Sequence, residues 1–564
     1  MKTQTLIEYG IYDVTAKSDS VPNTTDKQQF VDFNDLKKND IEERKYATLE
    51  KNYFVLDGNS KNMNGTETNM GWWSKSISNK NGEFETSPTL TLNFANETHS
   101  SIGLSLKFSK LDYPTHLKIQ YYDAQDVMIS EKEFYPDNYE YFCEDVVSRY
   151  KKIVLTFYTT SNPYRYIKLY SITYGRALLF LGDNLINANI VEEINVLSDE
   201  ISINTLEFTV YTTDDRFNIL NPQGIYKALQ ERQKLTVYKL ANNERTNMGT
   251  FYLDTWKNDK EKMMNFTAID LIGVIDKTTF MGNMYNNSTV ETVINEVMTS
   301  AAIQEENYTI DEELKNISVS GYIPICTHRE ALQQLLFSIG AVADCSRSDI
   351  INIYRVNEKE EPKVITKANT LQGTTEIEQG ELITGVQVVA HNYKANSTQE
   401  NLYEGNVQTG THTITFSEPA SNITCTNGTI LQSGVNYVIV QTNSQANIVV
   451  KGYKYIDSTQ NYMSEVEGLN PSEKRNVLKI ESDYLINNTN AQEVATSVLN
   501  YYRNNYITRF DFILNDESAG ENVVVEQKYE NNLNGYVTKL DINMTGGFIA
   551  NGEIVAKVKG VANG

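Results

Sequence analysis

Histidine, cysteine and proline are scarce in this chain of 564 residues, at five, four and ten. Cys143, Cys326, Cys345 and Cys425 stand far apart and form no C-x-x-C pair. That spacing excludes a disulfide framework or a structural zinc site and leaves four buried thiols as the expectation. No two of His99, His116, His328, His391 and His412 lie within four residues, and H-E-x-x-H is absent; no metal ligand set is implied. Neither G-x-x-x-x-G-K-[ST] nor G-x-S-x-G occurs, so a phosphate cradle and a serine elbow lack support. The acidic pairs Glu192–Glu193 and Asp214–Asp215 are sequence neighbours. Neighbours on a strand point to opposite faces, so these carboxylates do not converge on one substrate. The segment LDGNSKNMNG (56–65) lacks the alternating acids and closing glutamate of a calcium loop. The sequence thus predicts no enzyme activity, no metal and no cofactor.

Long apolar runs are missing too. The longest resemble ALLFL (177–181), far short of the roughly 20 residues that cross a bilayer, so stable membrane insertion is not expected. The first residues, MKTQTLIEYGIYDV, have no apolar signal-peptide core and read as a strand; synthesis in a cytoplasm without general secretion is expected. Positive charge is in deficit, with 50 Lys+Arg against 73 Asp+Glu and a net charge of −23. Such a surface repels nucleic acid at long range and argues against DNA binding. It still permits a passage for DNA, because an acidic lumen does not retain a polyanion.

What is present is alternation. The length implies several domains. The fold class expected is mainly β with α+β elements. Residues 1–15 read as one strand and 16–50 as a polar connector. Over 51–175, TLTLNF (89–94), IGLSLKFS (102–109), HLKIQYYD (116–123), KKIVLTFYT (151–159) and RYIKLYSITYG (165–175) all alternate with period two, which predicts an antiparallel β-sandwich. Residues 176–285 predict a small barrel or compact sheet, with Leu206, Phe208 and Val210 facing one way and NPQG (221–224) as a turn. Strand patterning returns over 376–470, a second β-domain. Residues 471–564 give a helix and three more strands.

Between the β blocks, 286–375 has helical periodicity. Ser288 and Glu291 have capping-box spacing before Val290, Val293, Ile294, Val297 and Met298. Thr327 and Glu330 repeat that spacing before Leu332, Leu335, Leu336 and Ile339, and Gly340 follows where a left-handed residue ends a helix. The turn SRSD (346–349) then joins two short strands. Asn490 and Glu493 form a third cap pair before Val494, Ala495, Val498, Leu499 and Tyr502. Cys326 and His328 are the only close Cys–His pair. Capping and packing explain them, and a thiol activated at a helix N-terminus is the alternative. Trp72 and Trp73 pose a similar choice between one core and one surface-covering ring, and a ring that stacks on a sugar.

Several segments together resemble a known family. GYIPICTHREALQQLLFSIGAVADCSRSDIINIYR (321–355) is similar to the helix–hairpin signature of tail hub proteins in phages of Gram-positive bacteria. FNILNPQGIYKALQERQKLTVYK (217–239), with GTFYLDTW and TAIDLIGVIDKTTF, resembles the first barrel of that family, and GENVVVEQKYENNLNGYVTKLDINMTGGFIANGEIVAK (520–557) resembles its closing strands. NYFVLDGNSKNM, GWWSKSIS and KLDYPTHLKIQYYD resemble a discoidin-like jelly roll inserted in some members.

The resemblance implies two tail-tube-like β-barrels in one chain: residues 1–15 with 176–285, and 376–470. It implies the sandwich 51–175 as an insertion, the helix–hairpin 286–375 between the barrels, and 471–564 completing the hub. It implies a homotrimer at the distal end of a virion tail or tail-like particle, where six barrels match a six-fold tube. The implied partners are tail-tube proteins on one side and tip, spike or fibre proteins on the other, with viral DNA as passing cargo. A carbohydrate-binding adhesin acting on host cell-wall glycan through 51–175, with Trp72 or Trp73 as the stacking ring, is the alternative. A tail-associated peptidoglycan hydrolase is disfavoured, because the chain ends soon after the last hub strands and no catalytic constellation was found.

Overall fold

The computed structural model describes residues 3–38, 46–53, 61, 70–211, 233–241, 244–260, 262–356, 362–468, 475–504, 506–527 and 532–558. The turn NPQG, the pair Asp214–Asp215 and most of LDGNSKNMNG lie outside them. The fold is mainly β. The chain divides into two compact units: residues 1–7, 180–213 and 235–564, and residues 8–179 with 214–234.

The second unit is a two-sheet sandwich. One sheet orders Ser20–Asn23, Thr89–Phe94, Lys152–Thr160, Pro114–Tyr122 and Met128–Phe134; the other carries Lys168–Leu181, His99–Phe108 and Glu140–Tyr150. The alternation seen in the sequence puts Leu90, Leu92, Leu117, Ile119, Tyr121, Ile153, Leu155 and Phe157 into the core between the sheets. Residues 16–38 are not a connector. Ala16 and Leu36 sit in this core, and Ser20–Asn23 pairs with Thr89–Phe94. Polar composition concealed this, because an edge strand and a short turn bury few side chains.

The first unit is built on one long antiparallel run of strands. Lys234–Ala241, Glu244–Lys260, Met263–Ile269, Thr205–Tyr211 and Leu185–Glu193 follow one another across the sheet. Next come Leu533–Asn543, Ile549–Val558, Tyr506–Ile513 and Glu376–Gln379. On the buried face Leu206, Phe208 and Val210 meet Met264, Phe266 and Ala268, and Phe208 stacks on Phe266 at 4.8 Å. Phe510, Phe512, Leu540, Ile542, Ala550 and Ile554 bury the corresponding face of the C-terminal strands.

Residues 376–470 do not make one barrel. Glu376–Gln379 joins the long sheet. Gly385–Ala390 pairs antiparallel with Gln460–Glu465 and parallel with Val477–Ile480, and helix Ala491–Tyr502 packs on them around Val386, Val388, Val494 and Val498. The chain between 390 and 460 forms its own two small sheets around Val407, Ile414, Val438, Val440, Ile448 and Val450. Period-two patterning marks strands but does not say which strands pair, and here the partners of Glu376–Gln379 and Gly385–Ala390 lie between 70 and 133 residues away.

The helical element sits within the first unit. Helix Val290–Ser300 buries Val290, Val293, Ile294, Val297 and Met298, and helix His328–Ile339 buries Leu332, Leu335, Leu336 and Ile339. Val342–Asp344 and Ile351–Tyr354 form the hairpin that follows. Gly340 ends the second helix at φ 65°, ψ 39°, with its N–H donated to the Leu336 carbonyl. An L-residue with a Cβ is disfavoured in that left-handed geometry.

Candidate functional site

Helix His328–Ile339 begins with a complete capping box. Thr327 Oγ1 accepts from the Glu330 N–H at 3.1 Å, and Glu330 Oε2 accepts from the Thr327 N–H at 2.8 Å. The other two cap assignments change. Thr289, not Ser288, caps Val290–Ser300 by accepting from the Thr292 N–H, and Ser288 pairs with Val319 in a strand; Glu291 lies in the first turn. Asn490 precedes Ala491–Tyr502, but its side chain does not cap it. Its Oδ1 accepts from the Asn487 N–H, and its Nδ2 donates to the carbonyls of Ser338 and Leu485. Glu493 lies in the first turn of that helix. Asn490 therefore staples two helices together, a role that only tertiary proximity creates.

The Cys326–His328 pair has the electrostatics of packing. The His328 ring is buried between Thr278 Oγ1 (2.8 Å from Nδ1) and Ser300 Oγ (3.0 Å from Nε2). Burial pushes its pKa down and pushes the Cys326 thiol up to about 12. A neutral imidazole beside a protonated thiol is the reverse of an activated ion pair.

At the tip of the hairpin, Arg347 ties three elements. Its Nε donates to Glu192 Oε1 at 2.7 Å and its Nη2 to the Glu517 carbonyl at 2.6 Å. Glu192 is 1% exposed, and burial raises its pKa against the pull of Arg347. Glu192 belongs to strand Leu185–Glu193, which makes the central seam of the long sheet. There Asn189 faces Asn543, Ile190 faces Ile542, Val191 faces Asp541 and Glu193 faces Lys539. Two β modules more than 300 residues apart in sequence are thereby joined edge to edge by one antiparallel ladder. The solvent face of this sheet carries amides and carboxylates together with Arg509 and Lys539, which pair with Glu553 at 2.8 Å and Glu193 at 3.1 Å. Asn189 Nδ2 donates to Asp541 Oδ1 at 2.8 Å, Asn551 Nδ2 to Asp511 Oδ1 at 2.7 Å, and Thr209 Oγ1 to Asn265 Oδ1 at 2.7 Å.

In the sandwich unit, Trp72 and Trp73 are 0% and 1% exposed. Their indole N–H groups donate to the carbonyls of Asp26 and Met70. Trp72 packs on Phe157 and Trp73 on Phe30. Neither ring has a face free for a sugar, so the stacking assignment is withdrawn for both. The two indoles enter different clusters, Trp72 the sandwich core and Trp73 a smaller one with Tyr46 and Met70 against which Phe30 and Tyr166 pack, so the second ring is buried by segments that cover the other face.

Sequence reading missed the ionic groups beneath Trp73. Lys168 Nζ lies 2.8 Å from Glu50 Oε2 and 3.9 Å from Asp112 Oδ2, all fully or nearly fully buried. It also lies 3.6 Å from the Tyr53 ring centre and 4.9 Å from that of Trp73. Arg165 Nε holds Asp112 Oδ1 at 3.0 Å. His99 is buried with Asp13 Oδ2 3.0 Å from Nδ1 and Asp19 Oδ2 2.9 Å from Nε2. No local motif announces either cluster, since the partners come from separate segments. Among the described residues no group of His, Cys, Asp and Glu is arranged to hold a metal ion, and no helix is long and apolar enough to cross a membrane.

No protein-family model matches the chain, and no curated protein matches it. Solved structures to which it is similar include a tail protein from Neisseria meningitidis MC58, at 10% identity and TM-score 0.42 over 67% of this chain and 94% of that one. Prophage tail protein gp18 from Listeria monocytogenes EGD-e is similar at 10% identity and TM-score 0.38, over 68% and 92%. The 43 kDa tail protein of prophage MuSo2 from Shewanella oneidensis is similar at 11% identity and TM-score 0.37, over 67% and 95%.

Proposed function

We propose that this chain is a structural subunit of a phage tail or tail-like particle, the trimeric hub at the distal end of the tube. The observation that carries the reading is the seam between Leu185–Glu193 and Leu533–Asn543. Two β modules paired edge to edge within one polypeptide have the relation expected of successive subunits around a ring. Three copies then present six modules to a six-fold tube and three-fold symmetry to the tip. One module is Lys234–Ala241, Glu244–Lys260, Met263–Ile269, Thr205–Tyr211 and Leu185–Glu193, and the other is Leu533–Asn543, Ile549–Val558, Tyr506–Ile513 and Glu376–Gln379. The second module is therefore assigned to the C-terminal strands rather than to 376–470.

The polar face of the sheet, with Asn189, Asp541, Asn551 and Asp511, is the side assigned to the bore. Its carboxylates would repel passing DNA rather than retain it. Neighbouring copies and tube proteins associate by burying large surfaces and pairing strand edges, so the role is assembly and gating rather than bond chemistry. Trimer formation gives a mass three times the 64.1 kDa of the chain by light scattering, and particle images place a labelled copy in a three-fold ring at the tube end. A label on peripheral fibres would overturn the proposal.

A further inference from the structure

Lys168 is a buried nucleophile whose surroundings exceed what an ion pair requires. Its Nζ lies 2.8 Å from Glu50 Oε2 and 3.9 Å from Asp112 Oδ2, and none of the three side chains is more than 2% exposed. The rings of Tyr53 and Trp73 cover the amine, with centres 3.6 and 4.9 Å away. The two carboxyl groups are held differently. Both Glu50 oxygens are bonded, Oε1 by the Tyr166 N–H and Oε2 by the Thr48 hydroxyl. On Asp112, Oδ1 accepts from Arg165 Nε and from Asn162 Nδ2, each at 3.0 Å. Its Oδ2 is buried on the Lys168 side and has no hydrogen-bond partner among the described residues. Pairing of charges explains Lys168 with Glu50 and Arg165 with Asp112. It does not explain a bare carboxyl oxygen beside an amine.

From this arrangement we infer that Lys168 and Asp112 condense in the folded chain, forming an isopeptide bond between Nζ and Cγ and releasing one water, with Glu50 as the proton carrier. Glu50 takes a proton from the Lys168 ammonium, and the freed lone pair attacks Asp112 Cγ. Negative charge develops on Oδ1, where Arg165 and Asn162 already donate. The nitrogen gives up a second proton, and Glu50 relays both to Oδ2. The Cγ–Oδ2 bond breaks as water leaves, and Glu50 ends as it began, so no oxidant or other reactant is needed. Burial draws the Lys168 ammonium toward its neutral, nucleophilic form, and a site closed to bulk water protects the product from hydrolysis. Attack needs the amine about 3–3.5 Å from the carbon, a side-chain adjustment from the 3.9 Å contact with Oδ2. Before the bond forms, Lys168 and Glu50 are the ion pair described above. The product joins the first residue of Lys168–Leu181, in one sheet, to the segment just before Pro114–Tyr122, in the other. It is a covalent tie across the sandwich, independent of the hub reading.

Mass spectrometry of the denatured full-length chain tests this. The parent, after incubation in its folded state, should weigh about 18 Da less than its sequence, the mass of one water. A tryptic digest should contain one branched peptide linking Asp112 to Lys168. Lys168→Arg keeps the charge without the amine, and Glu50→Gln cannot relay protons; both should show the full sequence mass. The inference is overturned if the parent has its full sequence mass, if Lys168→Arg still lacks one water, if Glu50→Gln condenses as completely as the parent, or if fragmentation maps the link to any other pair, Lys168–Glu50 included. The parent alone can refute it, so a variant that fails to fold leaves the test decisive.

Discussion

Replacing Lys168 with methionine should destabilise the sandwich unit by about 3–5 kcal/mol, because it leaves a buried carboxylate without its counter-charge. The geometry sets that magnitude. Lys168 and Glu50 side chains are both 0% exposed at a separation of 2.8 Å, so water cannot replace the lost cation. Glu50 would keep the Tyr166 N–H at 3.1 Å and the Thr48 hydroxyl at 2.7 Å, which satisfies its oxygens but not its charge. Methionine fills most of the aliphatic volume, so little of the loss is a cavity effect. The double substitution Lys168→Met with Glu50→Met removes both charges and should be milder than Lys168→Met alone by at least roughly 1 kcal/mol, despite orphaning the Tyr166 N–H. Urea unfolding followed by tryptophan fluorescence is suited to this, since two of the three tryptophans, Trp72 and Trp73, lie in the same unit. If Lys168→Met shifts stability by less than about 1 kcal/mol, or if the double variant shows the sum of the two single losses, the ion pair is not the dry, coupled unit described.

Arg347→Met should cost a comparable ~3–5 kcal/mol in the other unit by stranding buried Glu192, read as a lower urea midpoint; an unchanged midpoint would remove the tie at the seam. Gly340→Ala should cost roughly 1–2 kcal/mol, since only backbone conformation opposes it: φ is 65° and nothing lies within 4 Å of an added Cβ; thermal melting checks it. Burial raises the Asp483 carboxyl to about 8 and that of Asp270 to about 7. Each binds a proton more tightly folded than unfolded, so its stability contribution is full below about pH 4 and lost as pH rises through 7 to 8. Asp483→Asn should therefore raise stability by about 1–3 kcal/mol at pH 9 and change it little at pH 4; denaturation across that range would show equal shifts at both ends if the reasoning fails.

Local chemistry was legible where one side chain and its near neighbours decide the outcome. The buried faces of Val290–Ser300 and His328–Ile339 follow from apolar spacing, and Thr327 with Glu330 closes a capping box because both bonds are intrahelical. Adjacent candidates blurred the rest: Ser288 and Thr289 are both competent caps, and the strand pairing of Ser288 selected Thr289. Trp72 and Trp73 read as one inward and one outward ring, and segments carrying Phe30, Tyr46 and Tyr166 bury the second one as well.

The amino-acid order by itself determined that the protein is mainly β and where its three longer helices lie. Those properties depend on periodicity and on residue types a few positions apart. Tertiary structure alone decided that Leu185–Glu193 pairs with Leu533–Asn543, that 391–459 folds as its own sheets between two paired strands, and that Lys168 meets Glu50. Strand partners are chosen by the free energy of burying one face of a whole sheet, and every exposed edge offers the same hydrogen bonds, so no short stretch of sequence encodes its partner.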